Sequence, residues 1–219
     1  MAFQDQMILI NKPIGWTSFD VVNKLRYKLK IKKIGHAGTL DPLATGLLIL
    51  CTGKMTKRID EFQAQEKEYT GKFILGQSTP SHDLETEVTE VKDVTPITDD
   101  QIHLAAKKFT GVIQQIPPLH SAIKVDGKRA YKLARKGSDL ELKSREVTVS
   151  EFEITIIQKP EVHFRIVCSK GTYIRSLARD FGKELGVGAY LTGLCRTRIG
   201  EFKLTDALTI DQINPILPV

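Results

Sequence analysis

Asp41 lies in Gly35-His36-Ala37-Gly38-Thr39-Leu40-Asp41-Pro42-Leu43-Ala44-Thr45-Gly46, where three glycines, a proline, an imidazole and a carboxylate share twelve positions. Glycines at 35, 38 and 46 permit unusual backbone angles and close approach of a ligand, while Pro42 biases Asp41 toward extended geometry. The result is a single carboxylate on a stiff loop, placed for chemistry on something brought close. The same residues also suit a turn in which Asp41 caps a backbone amide and His36 is a surface residue. The residues alone leave both readings open. Other chemistries find little support. There is no Gly-x-x-x-x-Gly-Lys-Ser/Thr loop, no His-Glu-x-x-His and no Gly-x-Ser-x-Gly elbow. The five histidines never stand at two ends of one helical turn, and Cys51, Cys168 and Cys195 are too far apart for paired ligand spacing. No metal site is therefore expected.

The elements that must position this loop follow from periodicity. Met7 to Ile10 reads as a short strand, stopped by the turn-rich Asn11-Lys12-Pro13-Ile14-Gly15. Thr17 or Ser18 can cap a helix in which Val21, Val22, Leu25 and Leu29 recur at helical spacing. Leu47 to Cys51 is apolar throughout, as in a sheet interior. Thr56 to Phe62 suggests a short helix, and Tyr69 to Gly76 a strand. Thr98 opens a helix with Ile102, Ala105, Ala106 and Phe109 on one face, ended by Gly111. Pro117-Pro118 forces an extended break. Ser121 to Val125 reads as a strand, Asp126-Gly127 as a tight turn and Arg129 to Arg135 as a helix closed by Gly137. Arg145 to Ile157 and Val162 to Ser169 alternate as two strands. Thr172 can cap a final helix with Ile174, Leu177, Ala178, Phe181 and Leu185 on one face and Gly186 past its end. Mixed element order without βαβ alternation or repeats predicts an α+β fold with a mixed, mostly antiparallel central sheet flanked by helices and loops.

Composition bounds the rest. The 219 residues are 41% hydrophobic and 26% charged, close to the globular average, which argues against disorder or a fibrous repeat. The longest apolar run is five residues, against roughly 20 for a membrane-spanning helix, and the N-terminus has no secretory pattern. A cytoplasmic protein without a membrane partner is expected. The net charge of +6 is a modest bias toward polyanions. It concentrates between Lys124 and Arg145, where eight cations face Asp126, Asp139 and Glu141. Taken alone, such a run is most simply a solvated charged surface.

The Gly-His-x-Gly-x-Leu-Asp-Pro-x-Ala-x-Gly pattern closely resembles the catalytic motif of the bacterial tRNA pseudouridine synthase B (TruB) family. The resemblance extends to Asn11 to Ser18, Lys67-Glu68-Tyr69, Gln115 to Ala122, Lys124 to Tyr131 and Cys168 to Arg175, in the family's order. It implies a pseudouridine synthase fold and conversion of uridine 55 in the T arm of tRNA to pseudouridine, by base flipping and without a cofactor. Asp41 matches the family's essential aspartate, which would attack the nucleotide or stabilise the cleaved sugar. Arg175 matches the arginine that would favour the ionised carboxylate. Tyr69 matches the tyrosine that stacks on the extruded uracil. His36 matches a residue that contacts RNA where the base departed, and Tyr173 and Leu194 match positions lining the nucleotide pocket. Lys12 matches a residue supporting the loop from beneath. Asp83 stands where the family has Thr-x-x-x-Asp-x-x-Gly, but Thr86 replaces the glycine, so no pocket role is assigned to it. The resemblance turns the basic run into a thumb-like insertion at about 115–146 that closes on the T stem-loop, with Lys128 and Arg129 meeting phosphates. A single catalytic domain spanning 1–219, monomeric, is expected, with no complete C-terminal RNA-binding module of the PUA type.

Overall fold

Because Leu47 to Cys51 is apolar at every position, a strand built from it needs cover on both faces. The computed structural model, which describes residues 3–119, 124–125, 128–129 and 142–213, provides that cover. In chain order the elements are β1 (Met7–Lys12), α1 (Ser18–Leu29), β2 (Ile34–His36), β3 (Ala44–Thr52), a 3-10 turn (Gly53–Arg58), α2 (Ile59–Ala64), β4 (Lys67–Leu75), β5 (Gln77–Ser78) and β6 (Glu90–Val91). There follow α3 (Asp99–Lys108), β7 (Gly111–Gln115), β8 (Lys124–Val125), β9 (Lys128–Arg129), β10 (Arg145–Gln158), β11 (Glu161–Cys168), α4 (Ile174–Glu184), β12 (Ala189–Ile199) and β13 (Phe202–Lys203). The chain divides into two units, Met1–Thr70 with Gly193–Val219, and Gly71–Thr192.

In the first unit β3 pairs antiparallel with β1, from Met7 opposite Cys51 to Lys12 opposite Gly46, and antiparallel with β2. β12 runs parallel to β3 and sets Leu194 beside Ala44 and Arg196 beside Gly46. Successive side chains of a strand point to opposite faces. Leu48 and Leu50 thus join Ile8, Ile10 and the α1 residues Val21, Val22, Leu25 and Leu29 in one core, while Leu47, Ile49 and Cys51 join Phe62 and Ile199 in another. α1 starts as its sequence predicts. Thr17 and Asp20 form a reciprocal capping box, and Lys30 ends the helix in the left-handed region.

In the second unit β10 pairs antiparallel with β7 and β11. α4 packs Phe181 onto Phe73 and Phe152, with ring centroids 5.6 Å apart in both cases, and Phe164 lies 4.2 Å from Phe73. Gly182 is required by close approach, since a methyl group there would overlap the backbone of Gly188 and Ala189. α3 is capped by Thr98 and Gln101 as expected.

The architecture is α+β with a mixed, mostly antiparallel sheet, as read from the sequence. Four local expectations are corrected, and one unexpected strand is added. The stretch from Thr56 begins as a 3-10 turn before α2. Gly111 does not merely end a helix but opens β7, and β12 was not foreseen at all. Tyr173, not Thr172, occupies the N-cap of α4, because the Thr172 hydroxyl is used in a bond to the Ser169 carbonyl at 3.0 Å. Arg129 belongs to β9, paired with Lys124, and does not begin a helix. The rest of that expected helix, the Asp126-Gly127 turn and most of the thumb-like insertion lie outside the described residues. Among the described residues no helix is long and apolar enough to cross a membrane.

Candidate active site

The Asp41 loop of the first unit is held from three directions. From α1, the buried Ser18 hydroxyl donates to the Leu40 carbonyl at 3.2 Å and accepts from the Leu40 amide at 2.8 Å. From β1, the fully buried Lys12 ammonium donates to the carbonyls of Trp16 at 2.6 Å, Pro13 at 3.0 Å and Pro42 at 3.4 Å. From β12, the Arg196 guanidinium donates to the carbonyls of Leu47 at 2.7 Å and Gly38 at 3.2 Å. Inside the loop the Ala44 amide bonds to the Asp41 carbonyl at 3.0 Å, and the Gly15 amide to the Pro42 carbonyl at 2.8 Å. Gly38 and Gly46 adopt φ of 96° and 102°, and at Gly46 a side chain would collide with the Arg196 backbone. These two glycines are thus dictated by geometry. Asp41 itself is half-buried.

Charge is concentrated under this loop. Burial drives the Lys12 pKa down to about 8; the Asp41 carboxylate opposes that shift and Arg196 adds to it. His36, half-buried on β2, is also pushed below its ordinary value by burial and by Arg196, so it stays neutral near pH 7. Leu194 is half-buried on β12 beside Ala44. Tyr69, 8% exposed, is on β4. That strand is tied to β12 through Thr197, bonded to Glu68 at 2.7 Å, and Arg198, bonded to Glu66 at 3.0 Å. The first unit therefore gathers Asp41, His36, Leu194 and the strand bearing Tyr69 around β3 and β12.

Arg175 and Tyr173 belong to the second unit. Arg175, in the first turn of α4, is 4% exposed and pairs with the buried Asp83 carboxylate at 3.4 Å. The other Asp83 oxygen accepts the Glu85 amide at 2.9 Å, and the Asp83 carbonyl accepts the hydroxyls of Thr79 at 2.8 Å and Ser81 at 3.2 Å. Thr86 stabilises the same turn, bonding the Ser81 amide at 3.0 Å and its hydroxyl at 2.8 Å. With Thr86 in place of the glycine, Asp83 is buried and bonded. His82 adopts φ of 60° in this turn, and its pKa falls to about 4, chiefly through burial and then through Arg179 and Arg175. Tyr173 is held at its backbone by the buried Gln115 side chain, which accepts from its amide at 2.8 Å and donates to its carbonyl at 3.1 Å. The Arg145 guanidinium lies 4.7 Å from the centre of its ring, a cation–π contact. Lys128 and Arg129 occupy β9, and their side chains lie outside the described residues.

Sequence reasoning missed Arg196, Gln115 and Ser18. The only available signal for Arg196 was the β-forming run Tyr190 to Ile199. A cation in such a run ordinarily marks a solvated face, so its burial was not legible. Among the described residues no group of three or more His, Cys, Asp and Glu side chains could hold a metal ion.

Residues 26–174 match the TruB family pseudouridylate synthase N-terminal domain. The chain is 56% identical over 218 residues to the tRNA pseudouridine synthase B of Parabacteroides distasonis, covering 97% of this chain and 93% of that protein. It is 55% identical to the protein of the same name from Flavobacterium johnsoniae, covering 94% and 93%. Among solved structures, a chain of a Cbf5-Nop10-Gar1 complex superposes with a TM-score of 0.76 at 33% identity, covering 96% of this chain and 55% of that one. With the motif loop, its glycine geometry and these matches all falling on the same residues, the chain belongs to the TruB family of pseudouridylate synthases.

Proposed function

We propose that this protein isomerises uridine 55 in the T arm of tRNA to pseudouridine. The N1–C1′ glycosidic bond breaks, the uracil turns, and a C5–C1′ bond forms. The C5 proton is lost to solvent and N1 gains one, so the reaction is balanced without a cofactor. Asp41 is the nucleophile, or the counter-charge to the cleaved sugar, and acts as the carboxylate. Tyr69 stacks on the extruded base, Arg175 favours negative charge at the reacting centre, and His36, Tyr173 and Leu194 line the nucleotide. Turning a base out of a stacked loop costs a few kcal/mol, which aromatic stacking and phosphate contacts offset. Lys128 and Arg129 supply such phosphate contacts to the T stem-loop, making binding salt-dependent.

The observation that carries this reading is the Asp41 loop, fixed by Lys12, Ser18 and Arg196, in a chain whose relatives are named tRNA pseudouridine synthase B over nearly their whole length. The test is release of tritium from transcribed tRNA labelled at uracil C5. Wild-type protein should release it and Asp41→Asn should lose turnover by about a thousandfold or more. Full activity in Asp41→Asn would remove the central residue. Mapping should place the product at position 55, and modification elsewhere with an untouched T loop would redirect the substrate assignment.

A further inference from the structure

One side chain closes the base of the Asp41 loop. Arg196 is 1% exposed, and its fork reaches the Leu47 carbonyl through Nε at 2.7 Å and the Gly38 carbonyl through Nη2 at 3.2 Å. These acceptors flank Asp41 in the chain, three residues before it and six after. Gly46, between Asp41 and Leu47, can approach the Arg196 backbone only because it lacks a side chain. The strand register, with Arg196 beside Gly46, fixes this approach.

The two carbonyls it serves set the place of this arginine. Among the described residues it forms no ion pair with a carboxylate, and Lys12, a second buried cation, stands in its field. Taking a guanidinium out of water is costly, and an apolar side chain in its place would leave the Gly38 and Leu47 carbonyls without this donor, so the arginine is held to these two acceptors. A planar, two-pronged donor can hold two carbonyls in one fixed relation, which a single ammonium on a flexible stem does less well. The loop so held carries the reacting carboxylate, and misplacing a reacting group by about 1 Å can cost on the order of a hundredfold in rate.

We propose that Arg196 is a positioning residue for the isomerisation, pinning the Gly38 and Leu47 ends of the loop so that Asp41 is presented in the reactive geometry. This rests on Asp41 being the reacting group. Arg196 acts through the loop and touches no substrate.

The test measures kcat, KM, tRNA dissociation constant and Tm for Arg196→Met and Arg196→Lys in the full chain. Arg196→Met should lower kcat by about a hundredfold, leave the dissociation constant of the folded protein within about threefold of wild type, and lower Tm because the Gly38 and Leu47 carbonyls lose their donor. Arg196→Lys should recover roughly tenfold of the lost kcat. Wild-type kcat in a folded Arg196→Met overturns the proposal, as does a loss confined to KM or a folded Lys variant no better than Met. If Arg196→Met does not fold, Arg196→Lys decides, since wild-type kcat there assigns the residue to stability alone. Turnover retained by Asp41→Asn would instead overturn the reading of Asp41, so the two failures are separable.

Discussion

The two regions that carry the matched residues bury charge in opposite ways. Around Asp41, Lys12 and Arg196 are taken out of water and set against backbone carbonyls, so charged side chains define the path of a loop. Around Arg175, a cation and a carboxylate are buried as a pair, and hydroxyls and amides complete the bonding of the turn that bears Asp83. The first arrangement fixes backbone, the second fixes side chains. Taking cations out of water raises the cost of the first region, and the Lys12 pKa of about 8, lowered chiefly by burial and less by Arg196, is the sign of it. In the second region cation and carboxylate are desolvated together, and removing one partner costs more than replacing both.

The comparison breaks most sharply at Asp83. Asp83→Ala leaves the buried Arg175 guanidinium without that carboxylate and should cost about 3 kcal/mol in urea unfolding. Pairing Asp83→Leu with Arg175→Met should restore most of the loss, whereas equal destabilisation by the single and double changes would show that the ion pair is not what matters. A smaller effect is expected at Gly46→Ala, where φ of 102° and the Arg196 backbone both oppose a methyl group. A loss of about 2 kcal/mol is expected, with turnover falling further than stability. A Tm change within one or two degrees would mean that the loop yields easily.

The smallest effect is a pH dependence that separates the regions. His82 is neutral in the fold down to a pKa of about 4, against an ordinary value of 6.5. The unfolded chain therefore binds the extra proton first, and stability contributed by this site is full above pH 6.5 and declines as pH falls toward 4. His82→Gln should flatten that decline by on the order of 1 kcal/mol, after discount for solvent screening. Parallel urea midpoints for wild type and variant at pH 7, 5.5 and 4.5 would reject the assignment if they fell together. Lys12 works in the other window. Its depressed pKa penalises the fold below about pH 8, and the penalty lifts as pH rises toward 10.5.

Much of this was legible in the sequence because it is local. Leu47 to Cys51 announced a doubly covered strand, Thr17 and Thr98 announced helix starts, and Gly38 and Gly46 announced unusual backbone. Each of these signals depends on neighbours within a few residues, where spacing fixes geometry. The Asp41 loop was recognisable for the same reason. The pairing of Asp83 was not legible because its partner lies 92 positions away, and the bonds of Thr86 to Ser81 that hold the turn were not legible either.

The sequence by itself determined the fold class, the loop that bears the carboxylate and the family. Periodicity, capping residues and a contiguous motif are properties of short stretches, and short-range sterics read them out directly. Only the tertiary structure decided that Arg196 is an interior side chain and not a solvated cation, that Gln115 grips the backbone of Tyr173, and that Arg175 is paired with Asp83. Burial and ion pairing are set by which distant strands and turns become neighbours, and a side chain carries the same charge whether water or a carbonyl receives it.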